Sequence, residues 1–271
     1  MPAPVDNASD LETLVRLSYA VHKAVRQVLS SPHKGREVAM GASGSPTAQL
    51  DRVAEAQVLS FLEQERIPWN VLSEELGFID RGGHDLLVVD PVDGSHNALR
   101  GLPFATVSLA LGKEQLSDIR VGVVHDIDTG ITFWATQGGG AWQDGRRLLS
   151  RSWVPHEELF FVNLGANASG RAHSLAQKSR RVRSLGCASF EISMVAQGGA
   201  DGYFSDNSPA SLNLRVTDIA AAVLVLKEAG GGVADSHGRP LDMLLNLENR
   251  TSLLAWGDRR LLQEGHREGY W

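Results

Sequence analysis

Residues 90–97 read Asp-Pro-Val-Asp-Gly-Ser-His-Asn, directly after Asp85-Leu86-Leu87-Val88-Val89. The apolar run has the length and composition of a buried strand. Two carboxylates three residues apart then leave its end. Pro91 fixes one φ angle and Gly94 permits a sharp or left-handed turn. Beyond the turn, Ser95-His96-Asn97-Ala98-Leu99 starts a short helix whose first N–H groups lack intrahelical partners. Acidic oxygens and free N–H groups therefore share one tight bend, which suits an anionic ester held through a divalent cation. Taken alone, the same residues also describe an ordinary strand-to-turn junction.

The rest of the chain narrows the choice. It has 271 residues, 42% of them hydrophobic, enough for a large core in one domain or two joined halves. Net charge is −6 with no basic block, which argues against a nucleic acid partner. The first ten residues lack the positive start and apolar stretch of a signal peptide. The longest apolar run, Ile219 to Leu226, is far short of a membrane span. The single cysteine, Cys187, excludes an internal disulfide framework and fits a reducing, cytoplasmic compartment.

Helical spacing of Leu11, Leu14, Val15, Ser18, Val21, Val25 and Val28 predicts a first helix, with Ser9 as its cap. Residues 41–47 read as a loop, and a second helix is expected from about Ala48 to Glu65. Strands are expected at Val71-Leu72, 85–90, 104–111, 119–125 and 131–135, with a hairpin turn at Asp144-Gly145. In the second half, Phe160 to Leu164 reads as a strand and Ala188 to Gln197 as a helix. The clearest helix starts at Thr217, a candidate cap, and stops at Gly230-Gly231. A weak boundary falls near residues 150–155, giving expected sub-domains 1–152 and 153–271.

Asp51, Glu74, Asp90, Asp93 and Asp218 all sit at ends of expected elements. Singly, each reads as a cap or a solvated turn. Jointly they form an oxygen-rich ligand set of the kind hard cations require. The nine histidines show no zinc spacing.

These motifs resemble the inositol monophosphatase family of metal-dependent sugar phosphatases, especially its archaeal-type members that also hydrolyse fructose 1,6-bisphosphate. Asp90 to Asn97 matches the family's Asp-Pro-(Ile/Leu/Val)-Asp-Gly-Thr-x-Asn, with Ser95 in the threonine position. Gly101-Leu-Pro-Phe-Ala-Thr-Val-Ser108 matches its continuation, and Glu74-Glu75 its upstream acidic pair. Gly44-Ser-Pro-Thr-Ala-Gln-Leu-Asp51, on to Glu55, is similar to the archaeal-type pattern. Arg183-Ser-Leu-Gly-Cys-Ala188, Thr217-Asp-Ile-Ala-Ala-Ala222 and Glu228-Ala-Gly-Gly231 resemble the family's second-half motifs.

The resemblance implies an α/β (α+β) fold layered αβαβα, with two sub-domains meeting at the metal site, and a homodimer. It implies two or three Mg2+ ions. Glu74, Asp90 and the Val92 carbonyl would hold the first, Asp90, Asp93 and Asp218 the second, and a third would bind near Glu74. Gly94 and Ser95 N–H groups would hold the phosphate, while Asp51 and the Ser95 hydroxyl would orient and deprotonate water. Gly186, Cys187 and Ala188 would line the substrate side together with Asp93 and Asp218. The implied activity is hydrolysis of a small polyol or sugar phosphate, inositol 1-phosphate or fructose 1,6-bisphosphate, by direct attack of water.

Some positions depart from the family pattern. Ser205, followed by Asp206, stands where inositol phosphatases place a sugar-binding glutamate, which leaves the substrate open. Arg171, Arg183 and Arg215 are candidates for a second phosphate or plain surface arginines. Glu191 reads either as facing the sugar or as a surface residue, and Cys187 as packing. Competing readings are a 3′-phosphoadenosine-nucleotide or NADP phosphatase of the same fold, a haloacid-dehalogenase-like phosphatase and a non-catalytic relative. The aspartate spacing of three, where the dehalogenase type uses two, disfavours the haloacid-dehalogenase-like reading.

Overall fold

The computed structural model describes residues 6–31, 37–40, 46–207 and 214–269. Helix α1 (Asn7–Leu29) begins at Asp6, whose carboxylate accepts the Ala8 and Ser9 N–H groups at 3.2 Å. The cap is therefore Asp6 rather than Ser9: an acid three residues upstream reaches the orphan donors first. Its buried face is Leu14, Leu17, Ser18, Val21 and Val25, close to the spacing in the sequence. It packs on α2 (Gln49–Gln64), which buries Leu50, Ala54, Val58, Phe61 and Leu62.

Strands β1 (Glu37–Met40) and β2 (Pro46–Ala48) form a small antiparallel pair, so the end of the expected 41–47 loop is strand. Residues 41–45 lie outside the described residues. The main sheet has eight strands: β3 (Asn70–Ser73), β4 (Gly77–Ile79), β5 (Leu86–Asp93), β6 (Thr106–Gly112), β7 (Val121–Asp126), β8 (Thr132–Thr136), β9 (Gly140–Gln143) and β10 (Arg146–Arg147). Their order is β10-β9-β8-β7-β6-β5-β3-β4, and only β3 and β5 pair in parallel. Asp144-Gly145 makes the two-residue turn between β9 and β10. Both turn residues have positive φ, which that turn type requires.

A second sheet holds β11 (Leu159–Val162), β12 (Arg181–Arg183), β13 (Gly202–Ser205), β14 (Gly232–Ala234) and β15 (Leu253–Trp256), in the order β12-β11-β13-β15-β14. Helices α5 (Ala188–Ala196) and α6 (Val216–Glu228) pack together between the two sheets, while α1 and α2 cover the far face of the main sheet. Helices α4 (Gly170–Lys178) and α7 (Arg259–Glu268) pack on β11 and β15. The result is the layered αβαβα arrangement.

Position in the layers explains the composition of α6. A middle-layer helix meets protein all round, so it is apolar all round. Every residue from Ile219 to Leu226 is buried. Small residues let it approach the sheet closely: a Cβ on Gly122 of β7 would lie 2.8 Å from the Ala221 carbonyl oxygen. Ala222 is fully buried in the same core. Thr217 is not the cap; the helix starts after Arg215, and the Asp218 carboxylate turns back to accept the Arg215 N–H at 2.8 Å.

Candidate metal centre

The decisive local feature is an irregularity in β5. Asp90 pairs with Ser108 and Asp93 with Thr106, so three steps on β5 face two on β6. Residues three apart on a regular strand point to opposite faces. A bulge around Pro91, which has no N–H to give the ladder, removes that opposition. Asp90 and Asp93 consequently line one cavity of about 480 Å³. Gly94 then takes φ +83°, and helix α3 (Ser95–Arg100) follows.

Glu74 reaches the cavity from the β3–β4 turn and Asp218 from the first turn of α6. One carboxylate oxygen from each of Glu74, Asp90 and Asp218 lies within 4.8 Å of the others. Val92, Gly94, Ser95, His96, Leu214, Arg215 and Arg250 complete the wall.

Three or four carboxylates in one desolvated space repel one another, and the electrostatics record it. Burial, then Asp218, pushes Glu74 up to about 7, while Arg215 opposes the rise. Burial and Asp93 push Asp218 up to about 6. Asp90 rises well above the carboxylate range through burial, then Asp93, Glu74 and Asp218. Such a set is costly without cations. Its all-oxygen donors, drawn from a turn, a bulge and a helix start, fit a hard divalent ion.

Asp93 differs from the other three. Its Oδ2 accepts the Ser189 N–H at 2.7 Å and the Ser189 hydroxyl at 2.6 Å, and the Cys187 thiol lies 3.4 Å away. These three donors all fall on Oδ2 and leave Oδ1 to the cavity side. The hydroxyls of Ser189 and Thr106, 2.5 Å apart, continue this network. Nothing in the sequence marked Ser189 or Thr106, because their role depends on α5 meeting β6.

Asp51, at the start of α2, accepts the Ala48 N–H at 3.3 Å. Burial, then the charges of Glu75 and Glu74, raise it to about 6. It therefore lies within electrostatic reach of the cluster but outside the cavity wall, and no hydrogen bond joins it to Ser95 among the described residues.

A smaller cavity of about 150 Å³ adjoins the cluster, with Asp93 and Asp218 on its wall beside Gly186, Cys187, Ala188, Asn163 and Glu191. Asn97 pins this side to the motif by donating to the Phe104 and Leu185 carbonyls at 3.0 and 2.8 Å. Glu191 is buried, not superficial, and accepts the Leu185 N–H at 2.7 Å. The Cys187 thiol is fully buried and burial pushes it well above its usual range, as a packing residue requires.

Other expectations fall away from the cavities. Arg171 bonds the Ser236 carbonyl and His237, and Arg183 bonds the Val182 carbonyl. Only Arg215 of the three lines the cavity, and it pairs with Glu74. Asp206 accepts the hydroxyl of Ser169, the cap of α4, and Ser205 accepts from Asn163. Residues 208–213, in the segment singled out for substrate preference, lie outside the described residues. Arg250 carries no signal in the sequence, since it arrives from an irregular segment 32 residues after Asp218.

The sequence profile of the inositol monophosphatase family matches residues 6–264. The chain belongs to this family. A fructose-1,6-bisphosphatase/inositol-1-monophosphatase of Methanothermobacter thermautotrophicus is 35% identical over 263 residues, with 91% of each chain covered. A bifunctional NADP phosphatase/NAD kinase of Methanococcus maripaludis is 29% identical, covering 90% of this chain and 46% of that protein. Among solved structures, a Pyrococcus horikoshii protein described by its similarities to inositol-1 monophosphatase superposes with a TM-score of 0.83 at 25% identity, over 97% of this chain and 98% of that one. As a member of the inositol monophosphatase family, the chain is a metal-dependent hydrolase of phosphate monoesters. No helix among the described residues is long and apolar enough to cross a membrane.

Proposed function

We propose that the protein is a Mg2+-dependent phosphatase for a small polyol or sugar phosphate, with inositol 1-phosphate and fructose 1,6-bisphosphate as the leading substrates. The observation that carries this reading is the convergence of Glu74, Asp90 and Asp218 oxygens, from three separate elements, on one cavity. Glu74, Asp90 and the Val92 carbonyl would hold one ion; Asp90, Asp93 and Asp218 would hold another, and a third would bind near Glu74. Bound there, magnesium supplies Lewis acidity toward water and the phosphoryl oxygens.

The protein's own groups do the rest. The N–H groups of Gly94 and Ser95 donate to phosphoryl oxygens. Asp51 and the Ser95 hydroxyl would orient and deprotonate the attacking water. Gly186, Cys187 and Ala188 shape the side that meets the organic part of the ester. Displacement is direct, with no covalent enzyme intermediate.

A second reading, an NADP or 3′-phosphoadenosine-nucleotide phosphatase, is favoured by the similarity to the Methanococcus NADP phosphatase. We also take the chain as a cytoplasmic homodimer with sub-domains 1–152 and 153–271. Sizing chromatography checks the dimer. The deciding experiment compares kcat/KM for inositol 1-phosphate, fructose 1,6-bisphosphate, 3′-phosphoadenosine 5′-phosphate and NADP, with Mg2+ and with chelator. Activity that survives chelation defeats the metal assignment; preference for either nucleotide promotes the second reading.

A further inference from the structure

Glu55 has no part in the scheme above, yet it is almost wholly buried, on α2. One of its oxygens, Oε1, accepts three donors: the Ser73 hydroxyl and the Glu75 and Leu76 N–H groups, the latter two at 3.2 Å. These donors flank Glu74 on both sides. Ser73 ends β3 and Gly77 opens β4, so Glu55 holds the whole turn on which Glu74 rides.

We propose that Glu55 is the positioning residue for Glu74: its carboxylate fixes the β3–β4 turn so that the Glu74 carboxylate stays aimed at the cation. This rests on reading Glu74 as a metal ligand. The base is rigid, because α2 is anchored by Leu50, Ala54, Val58, Phe61 and Leu62 in the core. The hold is multiple, because three donors converge on the one oxygen. It is also specific. Without Glu55, the N–H groups of Glu75 and Leu76 lose their acceptor, and the turn is free to choose another geometry. Burial raises Glu55 to about 7, against the pull of these same donors. Its donors bracket Glu74, so the backbone that Glu55 holds is the backbone that carries the ligand. Asp51 lies one helical turn earlier on the same face, so a single helix side addresses both the turn and the cluster.

The test is Mg2+ titration calorimetry on the full chain, with melting temperature read in parallel. Glu55→Ala is expected to weaken Mg2+ binding about tenfold. Glu55→Gln, whose amide oxygen still accepts the turn, should restore most of the affinity. In kinetics, the Mg2+ concentration for half-maximal rate should rise while kcat at saturating Mg2+ changes little. Leu17→Ala, a core cavity distant in role, should lower the melting temperature without moving Mg2+ affinity. If Glu55→Ala does not fold, Glu55→Asp keeps the charge but withdraws it from the turn, and should weaken binding in the same sense. Unaltered Mg2+ affinity in Glu55→Ala or Glu55→Asp, alongside a loss in Glu74→Gln, overturns the inference alone. Unaltered affinity in Glu74→Gln overturns the ligand assignment beneath it.

Discussion

Arg215 Nη1 stands 2.5 Å from Glu74 Oε1, and the backbone N–H of the same arginine donates to Asp218 at 2.8 Å. One residue thus touches two of the three carboxylates in the cluster. The cation restrains the upward shift of Glu74, which still reaches about 7. Metal ligands must be deprotonated, so Mg2+ binding competes with protons. Affinity should therefore rise by about tenfold or more between roughly pH 5.5 and pH 8. Arg215→Gln removes the restraint and should move the midpoint of that rise to higher pH. Calorimetry across pH checks both. A midpoint that stays in place or moves down contradicts the coupling.

Asp93 separates catalysis from folding. In Asp93→Asn the amide oxygen can take over the Ser189 donors, leaving the amide group toward the cavity. The variant should fold normally and turn over about 10²–10³-fold more slowly. Asp93→Ala instead removes the acceptor of the buried Ser189 N–H and leaves the Ser189 hydroxyl only its Thr106 partner, at an added cost of about 1–3 kcal/mol in stability. Urea unfolding and steady-state rates on the two variants make the comparison. Equal stability in both would show that Ser189 does not depend on Asp93.

Glu191 predicts an alkaline weakness. Its carboxyl is raised from 4.5 to about 8, chiefly by burial. The neutral form is the one the fold favours, so the contribution is complete below about pH 4.5 and is lost as pH climbs toward 8. Glu191→Gln keeps an acceptor for the Leu185 N–H and cannot ionise. Its stability advantage over the parent should widen by about 1–3 kcal/mol from pH 5 to pH 8. Thermal melts at the two pH values test this; a constant gap refutes it.

Gly94 admits no side chain. Its φ is +83°, and an added Cβ would lie 2.6 Å from the Phe104 carbonyl oxygen and 3.2 Å from the Cys187 Cβ. Gly94→Ala should destabilise the fold by about 1–3 kcal/mol and displace the Asp93 and Ser95 side chains together. Chemical denaturation measures the first effect and the Mg2+ requirement of the residual activity the second. A fully stable, fully active variant would mean that the bend tolerates a different path.

The sequence was informative wherever local chemistry governs. Helix spacing located α1 and α2, the terminal glycines located the end of α6, the Asp144-Gly145 pair located a hairpin, and the Asp90–Asn97 motif located the bend. It misplaced caps, because Asp6 and Arg215 win their positions by hydrogen bonds that neighbours in space and chain compete to make. It left Glu191 ambiguous between surface and site, because burial of a single glutamate on a helix depends on what packs over it. Ser189, Thr106 and Arg250 carried no local signal at all.

By itself, then, the order of residues determined which oxygens were available for cations and on which element ends they would stand. Only the tertiary structure decided which of them meet. Glu74, Asp90 and Asp218 converge because a bulge turns β5, a clamped hairpin turn carries Glu74, and α6 is buried between two sheets with its first turn at the cavity. Electrostatic proximity depends on through-space distance, and that distance is fixed by core packing, which no run of neighbouring residues encodes.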